Sequence, residues 1–344
     1  MKNMLITGGA GFIGSNFIKL ILNKHKNINI INLDALTYAG NHENIAEFDD
    51  RHIFIKGSIN NKKLLLDIFE RYPIDTVVNF AAESHVDRSI SDPRIFMETN
   101  ILGTQTLLDV CRKYWEEGET NSGQYCRDSR FIQISTDEVY GTLGSVGKFS
   151  EKTPISPNSP YSASKASADL IARAYNKTYN FPVIITRCSN NYGPNQFPEK
   201  LIPLTITNAL NNKTIPVYGN GLQVRDWIFV EDHCLGVEQV ILKGKLGEIY
   251  NIGCENEWTN IDIIKLILSK LNKPKTLIKH VKDRPGHDTR YAMDNRKIKS
   301  DLNWKPTYTF EEGIELTIQW YLNNQNWIDN ILNGTYLKIS ENIR

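Results

Sequence analysis

An α/β fold, a doubly wound parallel sheet followed by a smaller mixed α/β lobe toward the C-terminus, is what this sequence predicts. Three observations predict it. Short, nearly all-apolar runs alternate with helix-period segments as far as about Arg187, as strands covered on both faces by crossover helices require. A glycine-rich turn, Gly8-Gly9-Ala10-Gly11-Phe12-Ile13-Gly14, joins the first strand to the first helix. Beyond Arg187 the elements shorten and lose the regular alternation. At roughly 150 residues per domain, the chain has room for about two domains. We place the sheet domain at 1–187 with parts of 226–250 returning to it, the second lobe mainly at 188–330, and a loosely held tail at 331–344.

The composition is that of an ordinary globular chain: 40% hydrophobic, 23% charged and 10% aromatic. With 40 basic and 39 acidic residues the net charge is +1, so neither nucleic acid nor a membrane surface is an expected partner. No run of about 18 apolar residues exists to span a membrane. Gly8, Gly9 and Gly11 interrupt the N-terminal apolar run before it reaches signal-peptide length. Cys111, Cys126, Cys188, Cys234 and Cys254 are odd in number and lack CxxC spacing. They read as free thiols in a reducing compartment, and a cytoplasmic location is expected. The histidines lack HxxxH and HExxH spacing, so no metal site is expected.

In chain order, Met4–Thr7 is the first strand. Gly9, Gly11 and Gly14 then satisfy G-x-G-x-x-G, in which glycine serves a tight turn, close approach to a pyrophosphate and helix–strand contact. The N–H groups opening the next helix face the phosphates, and Phe17, Ile18, Ile21 and Leu22 form its apolar face. The second strand, Ile28–Leu33, ends at Asp34, 20 residues past Gly14, where an acid meets the adenosine ribose hydroxyls. Its charge repels a 2′-phosphate and favours NAD over NADP. These features make the sheet Rossmann-type.

Strands Ile53–Lys56 and Thr76–Phe80 flank a helix at Leu64–Glu70. Ala81 and Ala82 permit close ligand approach at a strand's carboxyl end, where open α/β sheets bind ligands, and the polar run Glu83–Arg88 follows. Asp92-Pro93 opens a helix reaching about Tyr114, and 116–128 is a polar surface excursion. Strand Arg130–Ser135 runs into Thr136-Asp137-Glu138-Val139-Tyr140-Gly141. Residues 141–160, rich in Pro and Gly, form a long loop before a helix at Tyr161–Tyr179 and a strand at Pro182–Arg187. Helices are expected near Ile202–Leu210, Asp232–Leu242, Asn260–Leu271 and Phe310–Trp327, with strands at Asp226–Val230 and Ile249–Ile252.

Tyr161 and Lys165 are i,i+4 on their helix, so the two side chains share a face. A nearby ammonium favours phenolate, which lets a tyrosine accept a proton from a sugar hydroxyl as hydride leaves the same carbon. YxxxK alone carries little information. It gains weight by following the glycine turn and a strand ending in Ser135-Thr136.

Taken together, the chain resembles the extended short-chain dehydrogenase/reductase family and, within it, the dTDP-glucose 4,6-dehydratases. The carriers are Thr7–Gly14, Ala81–Ser89, Ser135–Gly141, Tyr161–Lys165, Ser189–Pro194 and Arg284–Asp288, and the likeness runs to about Trp327. Thr136-Asp137-Glu138 is the discriminating piece, because sugar-nucleotide epimerases lack the Asp-Glu pair. The resemblance implies a lyase that oxidises carbon 4 of dTDP-glucose with NAD, eliminates water across carbons 5 and 6, and returns hydride to carbon 6. The product feeds deoxysugar synthesis of the rhamnose type.

The same resemblance implies the roles. Glu138 is the base, Asp137 the acid, and Thr136 bonds the carbon-4 hydroxyl beside Tyr161 and Lys165. Gly8, Gly11, Phe12, Ile13, Gly14, Asp34, Ser58, Ile59, Ala81, Ala82, Ser84 and Thr99 join Tyr161 and Lys165 around the cofactor. Ser84, His85, Asp87 and Asn190 meet the sugar or its pyrophosphate, and Lys200, Arg225 and Arg284 clamp the diphosphate. Leu201 is a further substrate-binding residue, and Asn260, His287 and Pro216-Val217-Tyr218 form the nucleoside wall. The chain departs from the family at Gly57-Ser58-Ile59, where serine replaces an acid that contacts adenine. A homodimer through a four-helix interface is also implied. Two other readings compete: a dehydratase or epimerase for a UDP- or CDP-sugar, and a non-catalytic NAD-binding sensor.

Overall fold

The computed structural model describes residues 1–119 and 121–341. In chain order its elements are β1 (Asn3–Thr7), α1 (Phe12–Lys24), β2 (Asn29–Asp34), β3 (His52–Lys56), α2 (Lys62–Arg71), β4 (Thr76–Asn79), α3 (Val86–Ser91), α4 (Arg94–Phe96), α5 (Thr104–Trp115), β5 (Arg130–Thr136), α6 (Pro160–Tyr179) and β6 (Val183–Cys188). There follow β7 (Asn190–Tyr192), α7 (Leu201–Leu210), β8 (Ile215–Tyr218), β9 (Val224–Phe229), α8 (Val230–Lys243), β10 (Ile249–Ile252), β11 (Glu257–Thr259), α9 (Asn260–Lys270) and β12 (Ile278–Val281). The chain closes with α10 (Arg296–Leu302), α11 (Phe310–Asn323), α12 (Gln325–Leu332) and α13 (Thr335–Glu341).

Seven strands form one sheet in the order β10-β6-β5-β4-β1-β2-β3, every pairing parallel. The expected doubly wound parallel sheet is therefore present. Its strand order reverses between β1 and β4, and at such a switch point the carboxyl ends splay into a crevice. The strands are apolar on both faces because both are covered. Phe17, Ile18, Val237, Ile241 and Ile298 pack one side, from α1, α8 and α10; Leu65, Leu107, Val110 and Phe181 pack the other. The lobe has its own core around Tyr192, Ile206, Trp227, Phe310 and Trp327. Two small sheets, β11-β9-β7 and β12-β8, lie in that part of the chain.

Several elements differ from expectation. The single helix expected from Pro93 to Tyr114 is α4, a π-helical stretch at Met97–Gly103, then α5. A Cβ at Gly103 would lie 2.7 Å from the Ile59 side chain, so the widened turn passes tightly over the residues after β3. The polar run after Ala82 becomes helical at α3, capped by the His85 ring, which accepts from Arg88 N at 3.3 Å. The long helix expected to Trp327 breaks at Asn324, whose backbone leaves the helical region. The tail at 331–344, expected to be loosely held, is helical as far as 341 and docked through Ile331 and Tyr336. Ile331 and Tyr336 are apolar enough to join the lobe's core, and the Tyr336 hydroxyl donates to Tyr38 O at 2.7 Å. Residues 342–344 of that tail lie outside the described residues. Among the described residues, no helix is long and apolar enough to cross a membrane.

Candidate active site

The carboxyl edge of the sheet and the facing lobe enclose one cleft of about 510 Å³. All the residues assigned above to catalysis, cofactor and substrate line it.

At its sheet end, the glycines are explained by contact. Gly8 has φ +72°, and a Cβ there would lie 2.7 Å from Ala81 N; a Cβ at Gly14 would overlap Gly8 O. Gly9 serves packing instead, since its Cβ would overlap the Asn32 amide beneath the turn. α1 starts after Gly11 with no side-chain cap, which leaves its first N–H groups free for an anion. Asp34 accepts from Ala10 N at 2.9 Å and from Leu36 N at 2.8 Å, so it braces the glycine turn at the cleft wall. Burial raises its carboxyl, and those two N–H groups oppose the rise without cancelling it. Ser58 accepts from Asn60 N at 3.1 Å.

The acidic pair is presented by a change of backbone geometry. Thr136 is still extended, at φ −137° and ψ 155°, and a 3-10 turn follows at Asp137–Tyr140. In such a turn successive side chains are about 120° apart rather than on opposite faces, so neighbours can reach one cleft. Thr136 Oγ1 accepts from Glu138 N at 3.3 Å and donates to Asp137 Oδ1 at 3.2 Å. The turn ends at Gly141, φ +82° and ψ −149°, where a Cβ would overlap Ser156 O.

The two carboxyls differ electrostatically. Asp137 is 1% exposed and its Oδ2 has no partner. Burial, then the charges of Glu138 and Asp226, push it well above the carboxylate range, which favours its protonated form. Glu138 is also raised by burial, but Arg284, Lys200 and Arg225 all pull it back. Both carboxyls are raised, Asp137 well above its ordinary value, while three cations oppose the rise at Glu138, which suits the first to act as acid and the second as base.

α6 opens with a capping box, in which Ser159 Oγ accepts from Ser162 N at 3.1 Å and Ser162 Oγ accepts from Ser159 N at 3.0 Å. One turn in, Lys165 Nζ donates to Ile134 O at 2.7 Å, and burial lowers its pKa while Asp169 raises it. Behind it Arg187 Nε donates to Asp169 Oδ2 at 2.8 Å, both buried, and the guanidinium lies 4.8 Å from the Tyr140 ring centroid. The lowering of the Tyr161 phenol expected from Lys165 does not appear. Burial pushes that phenol well above its ordinary range, Glu138, Cys188 and Asp137 push the same way, and the Thr136 hydroxyl opposes them. The lysine's bond is to the strand backbone.

At the lobe end, Lys200 Nζ donates to Ser84 O at 3.0 Å, and Arg225 donates to Val224 O at 2.8 Å and Asp288 O at 2.9 Å. Arg284 lies 3.5 Å from Asp87, which also accepts from the Tyr218 hydroxyl at 3.2 Å. His85 is held neutral, with a pKa of about 4, by burial and by Lys200. His287 Nδ1 is 2.6 Å from Asp283 Oδ1, and its ring meets Tyr218 edge-on. Asn190 Oδ1 is buried without a partner.

A family model described as GDP-mannose 4,6 dehydratase matches residues 5–317. A dTDP-glucose 4,6-dehydratase from Xanthomonas campestris is 50% identical over 348 residues, covering 98% of this chain and 97% of that one. The chain belongs to the dTDP-glucose 4,6-dehydratase family. Among solved members of the family, the Bacillus anthracis enzyme in complex with NAD matches with a TM-score of 0.87 at 49% identity, covering 96% of this chain and all of that one. The Streptomyces venezuelae enzyme, also solved with NAD, matches with a TM-score of 0.88 at 45% identity, covering 94% of this chain and 98% of that one.

The residues present fit the cofactor of this dehydratase family. The turn at Gly8 leaves no room for a side chain beside Ala81, the N-terminus of α1 is uncapped, and Asp34 ends β2. These would hold a pyrophosphate and a ribose, and the wall at Ser58 is uncharged. Sequence reasoning missed other lining residues, including Thr37, Cys188, Glu199 and Trp227. Glu83 was within reach, because it lies inside the Ala81–Ser89 motif; it is 5% exposed and its N–H donates to Asn100 Oδ1 at 2.9 Å. Trp227, whose Nε1 has no partner, sits in a strand with no motif to mark it. Among the described residues, no group of His, Cys, Asp and Glu is placed to hold a metal ion.

Proposed function

We propose that this chain converts dTDP-glucose to dTDP-4-keto-6-deoxy-glucose, a step toward deoxysugars of the rhamnose type. The observation that carries the reading is the adjacent pair Asp137 and Glu138, the first buried and raised well above the carboxylate range, the second flanked by three cations, in the cleft that also holds Tyr161. NAD, when bound, accepts hydride from carbon 4 and gives it back at carbon 6. Tyr161, beside the Thr136 hydroxyl, takes the proton of the carbon-4 hydroxyl as its phenolate, a form that the positive charge of a bound nicotinamide would favour against the burial that raises the phenol. The ketone so formed acidifies carbon 5; Glu138 removes that proton and, after exchange with solvent, returns one to carbon 5 as hydride adds to carbon 6. Asp137 protonates the hydroxyl that leaves carbon 6, and its proton is available because burial keeps it there. Lys200, Arg225 and Arg284 orient the diphosphate, and Pro216, Tyr218, Asn260 and His287 face the nucleoside.

The test is an NMR assay of the purified chain with dTDP-glucose in deuterated water, without added NAD. A 4-keto-6-deoxy product deuterated at carbon 5 supports the reaction, the retained cofactor and the role of a carbon-5 base together. Glu138→Gln should lose the carbon-5 exchange. No product, even with NAD supplied, sinks the substrate assignment and turns attention to UDP- and CDP-sugars.

The domain division at about residue 188 belongs to this reading, with α8 and β10 returning to the sheet domain. So does a homodimer through the α4–α5 and α6 helices. Leu102 and Leu170, 54% and 52% exposed, support an apolar helix face there. A monomer by light scattering at micromolar concentration would refute the dimer. A cytoplasmic location, expected from the unpaired cysteines, is part of the same reading.

A further inference from the structure

We propose that the C-terminal helices α12 and α13 are a strap that sets how long NAD stays bound. Trp327, Asn330 and Tyr336 act in it as positioning residues that hold the segment after β2 closed over the adenosine end of the cleft. The proposal rests on the reading of that cleft as an NAD site.

The segment is 35–45. Ala35, Thr37, Ala39 and Gly40 line the cleft, and apart from a 3-10 turn at His42–Ile45 it has no regular structure. No strand ladder holds it, so side-chain and loop bonds must. On its inner face Asn41 N and Asn44 Nδ2 both donate to Ala10 O in the glycine turn, at 3.0 and 2.9 Å. On its outer face Trp327 Nε1 donates to Asn44 Oδ1 at 2.8 Å, Asn330 Nδ2 to Glu43 Oε1 at 3.0 Å, and the Tyr336 hydroxyl to Tyr38 O at 2.7 Å. The Asn44 amide is therefore a rivet, its nitrogen on the phosphate turn and its oxygen shared between the C-terminal helix and Asn195, whose Nδ2 donates to it at 2.9 Å. Tyr336 is 5% exposed, and its ring meets Phe197 at 5.8 Å, which in turn meets Tyr38 at 5.9 Å.

Local opening of such a segment is governed by the few bonds that close it. A cofactor covered by the segment leaves through the open form. Each outer bond removed should then raise the open population, and the NAD release rate, by the factor that one hydrogen bond is worth, roughly three- to tenfold.

The experiment follows NAD release from the purified full-length chain into an NAD-scavenging trap, with bound NAD counted beforehand. Tyr336→Phe and Trp327→Phe each delete one donor and keep an aromatic ring in the core. Each is expected to release NAD roughly three- to tenfold faster. Ile267→Val trims the same lobe core without touching the segment, and should lower thermal stability with release unchanged. Wild-type release from both ring variants overturns the strap, as does equal acceleration in Ile267→Val, which would mean general loosening. A wild-type chain that binds no NAD overturns the strap and the cofactor reading together; retained NAD with unaltered release in the ring variants overturns the strap alone.

Discussion

Replacing Gly141 with alanine should cost activity through the backbone alone. Gly141 lies at φ +82° and ψ −149°, a region essentially closed to other residues, and forcing alanine into it costs about 1–3 kcal/mol. The added Cβ would also overlap Ser156 O, in a segment tied back to the turn by Ser156 N donating to Val139 O at 3.0 Å. Overpacking of that kind adds about 1–3 kcal/mol, for a total of about 2–6 kcal/mol. The molecule can relieve this by shifting the 3-10 turn, which moves Asp137 and Glu138 together. A displacement on the order of 1 Å in such groups lowers turnover about 100-fold. Turnover of dTDP-glucose and denaturant unfolding should be measured side by side, with bound NAD counted as a control. We expect turnover down by about two orders of magnitude, stability down by a few kcal/mol and NAD content unchanged. An alanine variant with wild-type turnover and wild-type stability would refute the claim that this turn geometry presents both carboxyls.

Asp137→Asn should gain stability while losing activity. Because the folded-state pKa of Asp137 is raised, the native state keeps a proton that the unfolded chain releases above its ordinary value near 3.8. The variant's advantage should therefore be absent below about pH 4, grow as pH rises, and level off above the folded pKa; unfolding curves that show no such growth contradict the assignment. Asp169→Asn leaves the buried Arg187 without its carboxylate and should cost about 3–5 kcal/mol in urea unfolding, and a neutral result would mean the pair is not what fixes α6 to β6. Gly14→Ala puts a Cβ into Gly8 O and should weaken NAD binding at least about tenfold by calorimetry, since α1 must move off the turn; unchanged affinity would remove that turn from the cofactor site.

The sheet was legible because its strands are buried on both faces, and runs such as Val77-Val78 or Ile184-Ile185 carry that burial directly in their composition. The short strands β7, β11 and β12 were not. Three or four residues carry no period, and their pairing is decided by lobe contacts far away in sequence. The C-terminal helices were missed for a related reason. Ile331 and Tyr336 look like isolated apolar residues until Tyr38 and Phe197, some three hundred and one hundred and forty positions earlier, are brought beside Tyr336. At the site, the motifs pointed to residues that line one cleft, because each chemical role needs one residue type at one strand end. The protonation pattern was another matter. The spacing of Tyr161 and Lys165 suggested a lowered phenol, whereas the fold turns the lysine onto Ile134 O and leaves burial in control.

Arg284, Lys200 and Arg225 restrain the proton affinity of Glu138, and they are also the groups assigned to the diphosphate. A cation's field is shared among the anions around it. When a diphosphate settles among these three, its negative charge cancels much of their pull at the neighbouring carboxylate. Glu138 then becomes a stronger base at the moment the sugar arrives. Before that the three cations hold its basicity below what burial alone would give, and less of it is lost to stray protons from solvent. The nucleotide half of the substrate thereby acts as a trigger for chemistry on the hexose half, and a nucleoside diphosphate lacking any sugar should pull that trigger too, shifting the titration of Glu138 upward with nothing to deprotonate.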